Sequence, residues 1–300
     1  MTTFATPKPI TVTIDLFVAD VRIVASDRAN TIVEVRPSNK SRSADVRAAE
    51  LTLVEYSNGQ LLIKGPKQRV RFGIGSGEAF VGVGSSEALD VTIQLPTGSH
   101  VHGEMVVGEL RAQGELGNCQ VKTGAGGIAL DQAGSLILET GSGDITAERA
   151  IGEASIITGS GTVRIHEMNG SAAIKNTNGS SHIGEISGEL RLSSAHGNIS
   201  IDRAQASIVA KTANGTIRIN EIVRGSTLLE TAYGEVTVGV REGTAVWLDV
   251  RSQYGSVHNF LNAGGPRKSD ETAEVRVRTI HGDIVIRRSK AVPTMRNKSR

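Results

Sequence analysis

Hydrophobic and polar positions alternate along most of the chain, and the alternation recurs with a period of about 18 residues. A phrase of the form Thr-x-x-Gly-x-Ile marks each period, most clearly in KTANGTIRI at 211–219. Aliphatic residues recur two and four positions after the glycine, and five and seven positions before it. This pattern predicts two short β-strands per repeat, separated by turns. The marker glycines are Gly108, Gly126, Gly143, Gly161, Gly179, Gly197, Gly215, Gly234, Gly255 and Gly282.

A short fixed period with matching columns is typical of a solenoid, in which each coil buries its apolar face against its neighbours. The sequence therefore predicts an all-β protein, a parallel β-solenoid with about 18 residues per coil. We expect Ile145, Val163, Ile199 and Ile217 to lie in one inner column. An antiparallel meander with two strands per unit is the main competing arrangement.

Two known solenoids with 18-residue coils fit less well. A left-handed hexapeptide helix needs an aliphatic residue every six positions, whereas the aliphatic pairs here are nine positions apart. A calcium β-roll needs repeated turn carboxylates, because calcium takes several oxygen ligands. The residues after the marker glycines are mixed, with carboxylates only at scattered copies such as Asp144 and Asp283. A metal-free, two-sided solenoid is therefore favoured.

Residues 1–98 are less regular and predict a β-rich lead-in that covers one end of the solenoid. Within it, Ser43–Glu50 favours a short helix with Ser43 as a possible N-cap. Asn58-Gly59 predicts a hairpin turn, since both residues tolerate positive φ. The glycine-rich segment 69–86 is interpreted as a loop, and DVTIQLP, which follows it, as a strand.

Residues 99–288 form the predicted repeat array, and longer glycine spacings near its end indicate insertions at Arg241–Thr244 and Asn262–Thr272. The second insertion has turn-forming composition and is expected to be a surface loop. Residues 289–300 are basic and lack an apolar pattern, which predicts a disordered tail.

Composition narrows the function classes. The net charge of +2 gives no reason to expect nucleic acid. Cys119 is the single cysteine, and its inward column predicts a buried, inert thiol. The first 25 residues show no signal-peptide pattern, and no stretch is apolar enough to span a membrane, so we expect a cytoplasmic protein.

The phrases TGSGDI, KTANGTI and TIHGDIVI, preceded by DVTIQLP, resemble a bacterial β-strand-repeat domain family of unknown function. Proteins of that family are often labelled as candidate adhesins. The resemblance covers nearly the whole chain and implies a β-solenoid-like fold. It supplies no established catalytic residues, so no catalytic, cofactor or metal residues are assigned.

One column is a candidate ligand-binding stripe. The position before each marker glycine changes from small residues to large polar and aromatic ones in the C-terminal half of the array. In stacked coils these residues would form a line at steps of roughly 4.8 Å, suited to an extended polymer or peptide. The simpler interpretation is that turn positions tolerate such residues. The column, called here the turn-edge stripe, comprises Asn178, His196, Asn214, Tyr233, Tyr254 and His281.

Two other sets of repeated polar residues are predicted to have structural roles. Hydroxyl residues recur three positions before the glycines, and one copy per coil indicates turn stabilisation rather than a single nucleophile. Carboxylates near the second turn, such as Asp202 and Glu221, are expected to be a solvated rim. The predicted function is a non-enzymatic binding or scaffold module whose partner is an unidentified protein or polymer. The alternative is a polysaccharide-acting enzyme on the same scaffold.

Overall fold

The computed structural model describes residues 1–66, 70–75, 78–83, 87–261 and 271–289, with the backbone alone for 70–75 and 78–83. The chain divides into two compact units, Met1–Arg164 and Ile165–Arg300. Residues 290–300 of the predicted tail and 262–270 of the second predicted insertion lie outside the described residues.

The first unit is built almost entirely of strands. Its elements are β1 (Thr2–Ala5), β2 (Thr11–Ser26), β3 (Asn30–Pro37), α1 (Ser43–Leu51), β4 (Leu53–Ser57), β5 (Gln60–Lys64), β6 (Val70–Gly75), β7 (Glu78–Val83), β8 (Ala88–Pro96), β9 (His100–Val107), β10 (Leu110–Leu116), β11 (Cys119–Ala125), β12 (Ile128–Ala133), β13 (Leu136–Ser142), β14 (Ile145–Ala150) and β15 (Ala154–Ser160).

The boundary between the units falls within β16 (Val163–Met168). The second unit continues the two-strand pattern with strands alone in its described residues. They are β17 (Ala172–Asn178), β18 (Ser181–Ile186), β19 (Leu190–His196), β20 (Ile199–Ala204), β21 (Ile208–Asn214), β22 (Ile217–Ile222), β23 (Gly225–Tyr233), β24 (Val236–Val240), β25 (Ala245–Ser252), β26 (Val257–Asn259), β27 (Thr272–His281) and β28 (Ile284–Arg288).

Each repeat forms one coil of two strands, and each strand pairs with its counterpart in the adjacent coil. In the first unit β11 pairs with β13 and β12 with β14, parallel and in register. In the second unit β19 pairs with β21 and β20 with β22 in the same way. The parallel β-solenoid prediction is therefore confirmed, and the antiparallel meander is wrong for these strands.

The inner columns are aliphatic and buried, as the alternation predicts. Ile145 and Val163 are fully buried in the first unit. In the second unit Ile199 and Ile217 are register partners and are also buried. Narrow coils leave room for branched aliphatic side chains between their two strands, which explains a core with few aromatic residues.

The marker glycines are required at the turns for two reasons. Gly215 has φ +153°, a backbone conformation that residues with a Cβ rarely adopt. A Cβ on Gly215 would also lie 2.1 Å from the carbonyl oxygen of Gly197 in the adjacent coil. Close stacking of the turns therefore excludes side chains at this column.

The hydroxyl column stabilises the same turns. Thr212 Oγ1 donates to the carbonyl oxygen of Gly197 at 3.3 Å, and Thr231 Oγ1 donates to that of Gly215 at 3.1 Å. Each hydroxyl thus satisfies a turn carbonyl of the adjacent coil. The structural role expected for this column follows from these bonds.

Strand β2 is long enough to supply both strands of one coil. Its first half pairs with β9 and its second half with β10. Ala19 occupies the place of a turn glycine, because its carbonyl oxygen would lie 1.8 Å from a Cβ on Gly108. On its other side β2 pairs in parallel with β5 and β8, to which the antiparallel strands β4 and β3 are added.

Local predictions in this region have mixed outcomes. The hairpin is confirmed, with Asn58 and Gly59 at positive φ between β4 and β5. The helix is confirmed, but Ser43 as N-cap is wrong: Arg42 is the N-cap and makes no side-chain capping bond. The buried carboxylate of Asp45 instead accepts backbone N–H groups before the helix and at the start of β8.

The interpretation of segment 69–86 as a loop is wrong, since β6 and β7 pair as antiparallel strands in this segment. Arg241–Thr244 forms a turn between β24 and β25, where the Thr244 N–H donates to the Arg241 carbonyl at 3.2 Å.

The last two coils of the second unit are not stacked in sequence order. The coil of β27 and β28 pairs directly with β23 and β24. The earlier coil of β25 and β26 lies outside it and pairs with β27 and β28. Consecutive stacking, which the repeat predicts, is therefore wrong at this position.

Asn259 explains the exchange of order. It occupies the inner column that holds Ile286 in β28 and Val238 in β24. Burying an unpaired amide would cost roughly 1–3 kcal/mol. Placing the aliphatic coil inside and the Asn259 coil outside avoids this cost.

Candidate functional site

The turn-edge stripe lies within the second unit, at the ends of the strands that lead into the marker turns. In-register pairing places Asn178 beside His196, His196 beside Asn214, and Asn214 beside Tyr233. Tyr233 is the register partner of His281 because of the exchanged coil order. All six side chains of the stripe are exposed.

Three aromatic rings form a continuous stack at one end of the stripe. The Tyr233 and His281 ring centroids are 4.8 Å apart with an interplanar angle of 6°. Tyr254 stacks on the other face of His281, also at 4.8 Å, with an angle of 13°. The separation matches the spacing of hydrogen-bonded strands, so the coil spacing itself brings the rings into contact.

Stacking determines which parts of the rings are available. Both faces of His281 and one face of Tyr233 are covered by neighbouring rings. Tyr233 is 57% and Tyr254 65% exposed, and each has one face against His281. The stack therefore offers the two tyrosines, with their hydroxyl groups, as its main contact groups.

The other half of the stripe is polar and also ordered. Nδ2 of Asn214 lies 3.1 Å from Nδ1 of His196, which links adjacent coils through their side chains. Next to the stripe, the Asn198 side chain accepts the backbone N–H of Thr216 at 2.9 Å. Such contacts hold the turn side chains in fixed positions before any ligand arrives.

The residues after the marker glycines stabilise the backbone in the same way. The carboxylate of Asp283 accepts the Ser256 N–H at 2.8 Å, and that of Asp144 accepts the Thr162 N–H at 2.7 Å.

Within the described ranges, no cluster of three or more His, Cys, Asp or Glu side chains has the arrangement of a metal site. His100 accepts the Asn118 N–H through Nδ1, a structural role.

A second surface feature is a groove along the ends of β18, β20 and β22, which we call the carboxylate groove. Its cavity volume is 430 Å³. The sequence pattern indicates its carboxylates but not its concavity, which depends on side chains from several stacked coils. Its lining residues are His166, Glu167, Gly184, Glu185, Asp202, Arg203, Asn220, Glu221, Arg287 and Ser289.

The acids of this groove are paired with neighbouring side chains. Asp202 lies 3.3 Å from His182 and accepts a 2.9 Å hydrogen bond from Asn220. Glu221 lies 3.2 Å from Arg203, and both side chains are largely buried. These contacts cross from coil to coil and stabilise the stack.

Cys119 lies in the inner column of the first unit, as expected. Desolvation by burial raises the pKa of its thiol from 9.0 to about 12. The neutral thiol therefore persists over the whole physiological range, and its thiolate is not available as a nucleophile.

Parallel coils of two strands, closed by glycine turns, define the class of β-solenoid repeat proteins. The chain belongs to the Toastrack DUF4097 family, whose model matches residues 11–287. This match confirms the resemblance expected from the repeated phrases. No curated protein matches the chain.

Three solved structures are similar along nearly their whole length. A candidate cell adhesion protein from Clostridium sporogenes is 15% identical, covers 96% of this chain and 98% of its own, and has a TM-score of 0.20. A candidate adhesin from Bacteroides fragilis is 12% identical, with 95% coverage of each chain and a TM-score of 0.35. One from Parabacteroides merdae is 10% identical, covers 96% of this chain and 95% of its own, and has a TM-score of 0.29.

The described part of the chain contains no helix with the length and apolar character needed to cross a membrane.

Proposed function

We propose that this chain is a non-enzymatic binding module and that the turn-edge stripe is its contact surface for a protein or polymer. The observation that supports the proposal most directly is the exposed stack of Tyr233, His281 and Tyr254. A turn needs only a small polar residue at this position, as Ser142 and Ser160 illustrate in the first unit. Large amphipathic side chains at the same position suit recognition.

The stripe is suited to an extended ligand. Its groups repeat at the coil spacing and are already ordered by stacking and hydrogen bonding. Binding to ordered side chains costs less conformational entropy than binding to mobile ones. A polysaccharide or an extended peptide could therefore make the same hydrogen bond at successive coils, with tyrosine hydroxyls and amides as the contacting groups.

The alternative, a polysaccharide-acting enzyme, is less well supported. Glycoside hydrolysis needs one acid and one base free to face the sugar bond. In the carboxylate groove, Asp202 and Glu221 are engaged with His182, Asn220 and Arg203. Release of reducing sugar from a polysaccharide that the protein retains would favour the enzyme.

Affinity gel electrophoresis with dissolved neutral and acidic polysaccharides, together with a binding screen against extended peptides, would test the stripe. Changing Tyr233 and Tyr254 together to serine should weaken binding at least about tenfold, since tyrosines that become buried on binding often dominate the binding energy. Far-UV circular dichroism and melting should remain nearly unchanged, because both rings are largely exposed.

The matched control changes Ser142 and Ser160 to alanine at the equivalent turn positions of the first unit and should leave binding intact. The proposed site is wrong if the wild type binds no member of either panel, or if the tyrosine variant binds as well as the wild type. Loss of the fold in that variant would show that the stack is structural.

A further inference from the structure

The outermost coil of the second unit has two edge strands. Among the described residues, β25 has β27 as its one strand partner and β26 has β28. The outer backbone groups of both strands therefore lack a neighbouring strand in the described part of the chain. Such edges readily accept another strand, and proteins usually cover or blunt them.

Apolar side chains accompany these edges. Leu248 and Val250 are only half-buried, whereas their register partners in β27 are fully buried. Val257 is 45% exposed and Trp247 55% exposed. The inner columns thus continue to the last coil but lack an apolar layer beyond it among the described residues.

The hydrogen-bonding pattern determines which residues of β25 face outward. The Ala245 N–H donates to the Glu271 carbonyl, on the side of β27. Because backbone direction alternates along a strand, the N–H and C=O groups of Val246, Leu248, Val250 and Ser252 point toward the free edge. Val250 lies near the middle of this row.

The charges beside Val250 are self-complementary. Asp249 and Arg251 lie on the outer face of the sheet, with Asp249 Oδ1 3.2 Å from Arg251 Nε. If two copies of β25 pair antiparallel with Val250 opposite Val250, Asp249 of each copy stands opposite Arg251 of the other. Opposite charges directly across a strand pair are favourable, and like charges are unfavourable.

We propose that β25 pairs antiparallel with β25 of a second copy of this chain, about a two-fold axis at Val250. The contact is isologous and closed, so it yields a dimer rather than a filament. It supplies partners for the outward N–H and C=O groups and covers Leu248 and Val250. The contact adjoins the turn-edge stripe, because Tyr254 follows β25 in the same outermost coil.

Other registers match less well. Pairing centred on Leu248 places Asp249 opposite Trp247, and Arg251 opposite Ala245, so both ion pairs are lost. The Val250 register also joins two outward hydrogen-bonding residues, as a closely spaced antiparallel pair requires. Backbone geometry admits a register centred on any of the outward residues, and charge selects the one centred on Val250.

Sedimentation equilibrium of the full chain across the micromolar range measures the association. The wild type should have twice the 31.5 kDa mass of the chain. Asp249→Arg and Arg251→Asp should each raise the dimer dissociation constant at least about tenfold, because each places like charges opposite one another. The double variant D249R/R251D should dimerise again, since its charges are complementary in the same register.

A mixture of the two single variants is the sharpest test. Their charges are complementary to each other, so the mixture should form a heterodimer at concentrations where each variant alone associates much more weakly. The matched control is Arg191→Asp, an exposed charge reversal on the interior strand β19, which should leave the dimer unchanged. Circular dichroism of each variant verifies the fold, and the double variant keeps the test valid if a single reversal unfolds.

Three outcomes would overturn the proposal. A monomeric wild type would show that a second copy does not cover the edge. If neither charge reversal changed the dissociation constant, the dimer contact would lie on another surface. Failure of the mixed single variants to associate would exclude the Val250 register.

Discussion

Substituting Gly215 by alanine would test whether close stacking of the turns, rather than backbone conformation alone, requires glycine. The new Cβ would lie 2.1 Å from the Gly197 carbonyl oxygen, whereas real Cβ contacts are essentially never shorter than 3.0 Å. The two turns would have to separate by roughly 1 Å. Two backbone bonds that join these turns, from Gly197 to Asn214 at 2.8 Å and from Ile199 to Thr216 at 2.9 Å, would be lost or severely weakened.

The expected fall in the free energy of unfolding has two contributions. A side chain at φ +153° costs about 1–3 kcal/mol in backbone strain. Losing two hydrogen bonds costs about 0.5–1.5 kcal/mol each. Together the free energy of unfolding should fall by about 2–6 kcal/mol.

Gly243 provides a matched control. It also has positive φ, at +89°, but a Cβ there would meet nothing within 4 Å. Gly243→Ala should therefore cost the strain contribution alone, and the two variants should differ by about 1–3 kcal/mol. Urea unfolding followed by circular dichroism gives both values, provided that the free energy of unfolding depends equally steeply on urea concentration in the two variants. An equal loss in the two variants would contradict the argument from turn stacking.

Two further predictions concern the core. Ile217→Ala should lower the free energy of unfolding by about 2–4 kcal/mol, because it leaves a cavity in the core. Arg218→Ala, on the same strand, is the control and should be nearly neutral. A loss below about 1 kcal/mol for Ile217→Ala would be inconsistent with a buried inner column. Cys119 has a pKa raised to about 12 from 9.0, so above pH 9 the unfolded thiol loses its proton while the folded thiol keeps it, and stability falls as pH rises. Between pH 7 and pH 10.5 this thiol should lower the free energy of unfolding by about 2 kcal/mol, and Cys119→Ala should abolish this contribution. Denaturant titrations at several pH values measure the free energy of unfolding of both proteins. The prediction would be refuted if that free energy fell equally with pH in the two proteins.

The repeat and its local chemistry could be predicted from the sequence. Columns of aliphatic residues specify which side chains face inward, because strand alternation has a period of two. The marker glycines indicate close approach of neighbouring turns and, at most copies, positive φ, as at Gly215. The Asn58-Gly59 hairpin and the helix that begins at Ser43 depend on short-range conformational preferences, so they too could be predicted.

The details of the candidate site needed the tertiary structure. The repeat predicts a line of turn side chains but not that His281 lies between Tyr233 and Tyr254. The concavity of the carboxylate groove could not be predicted either, because it depends on how side chains from several stacked coils are arranged. The capping role of Asp45 depends on Asn39 and on distant Ala88, which local preferences do not reveal.

The period, the inward columns and the glycine turns can be predicted from the sequence, since each depends on residues within one repeat or on identical columns. The order of the last coils, and hence the identity of the edge strands, became known from the three-dimensional structure alone. Coils with matching columns pair equally well in several orders, so register cannot distinguish them. The decision depends on the relative cost of burying Asn259 or the aliphatic side chains of Ile284 and Ile286, a comparison between whole coils.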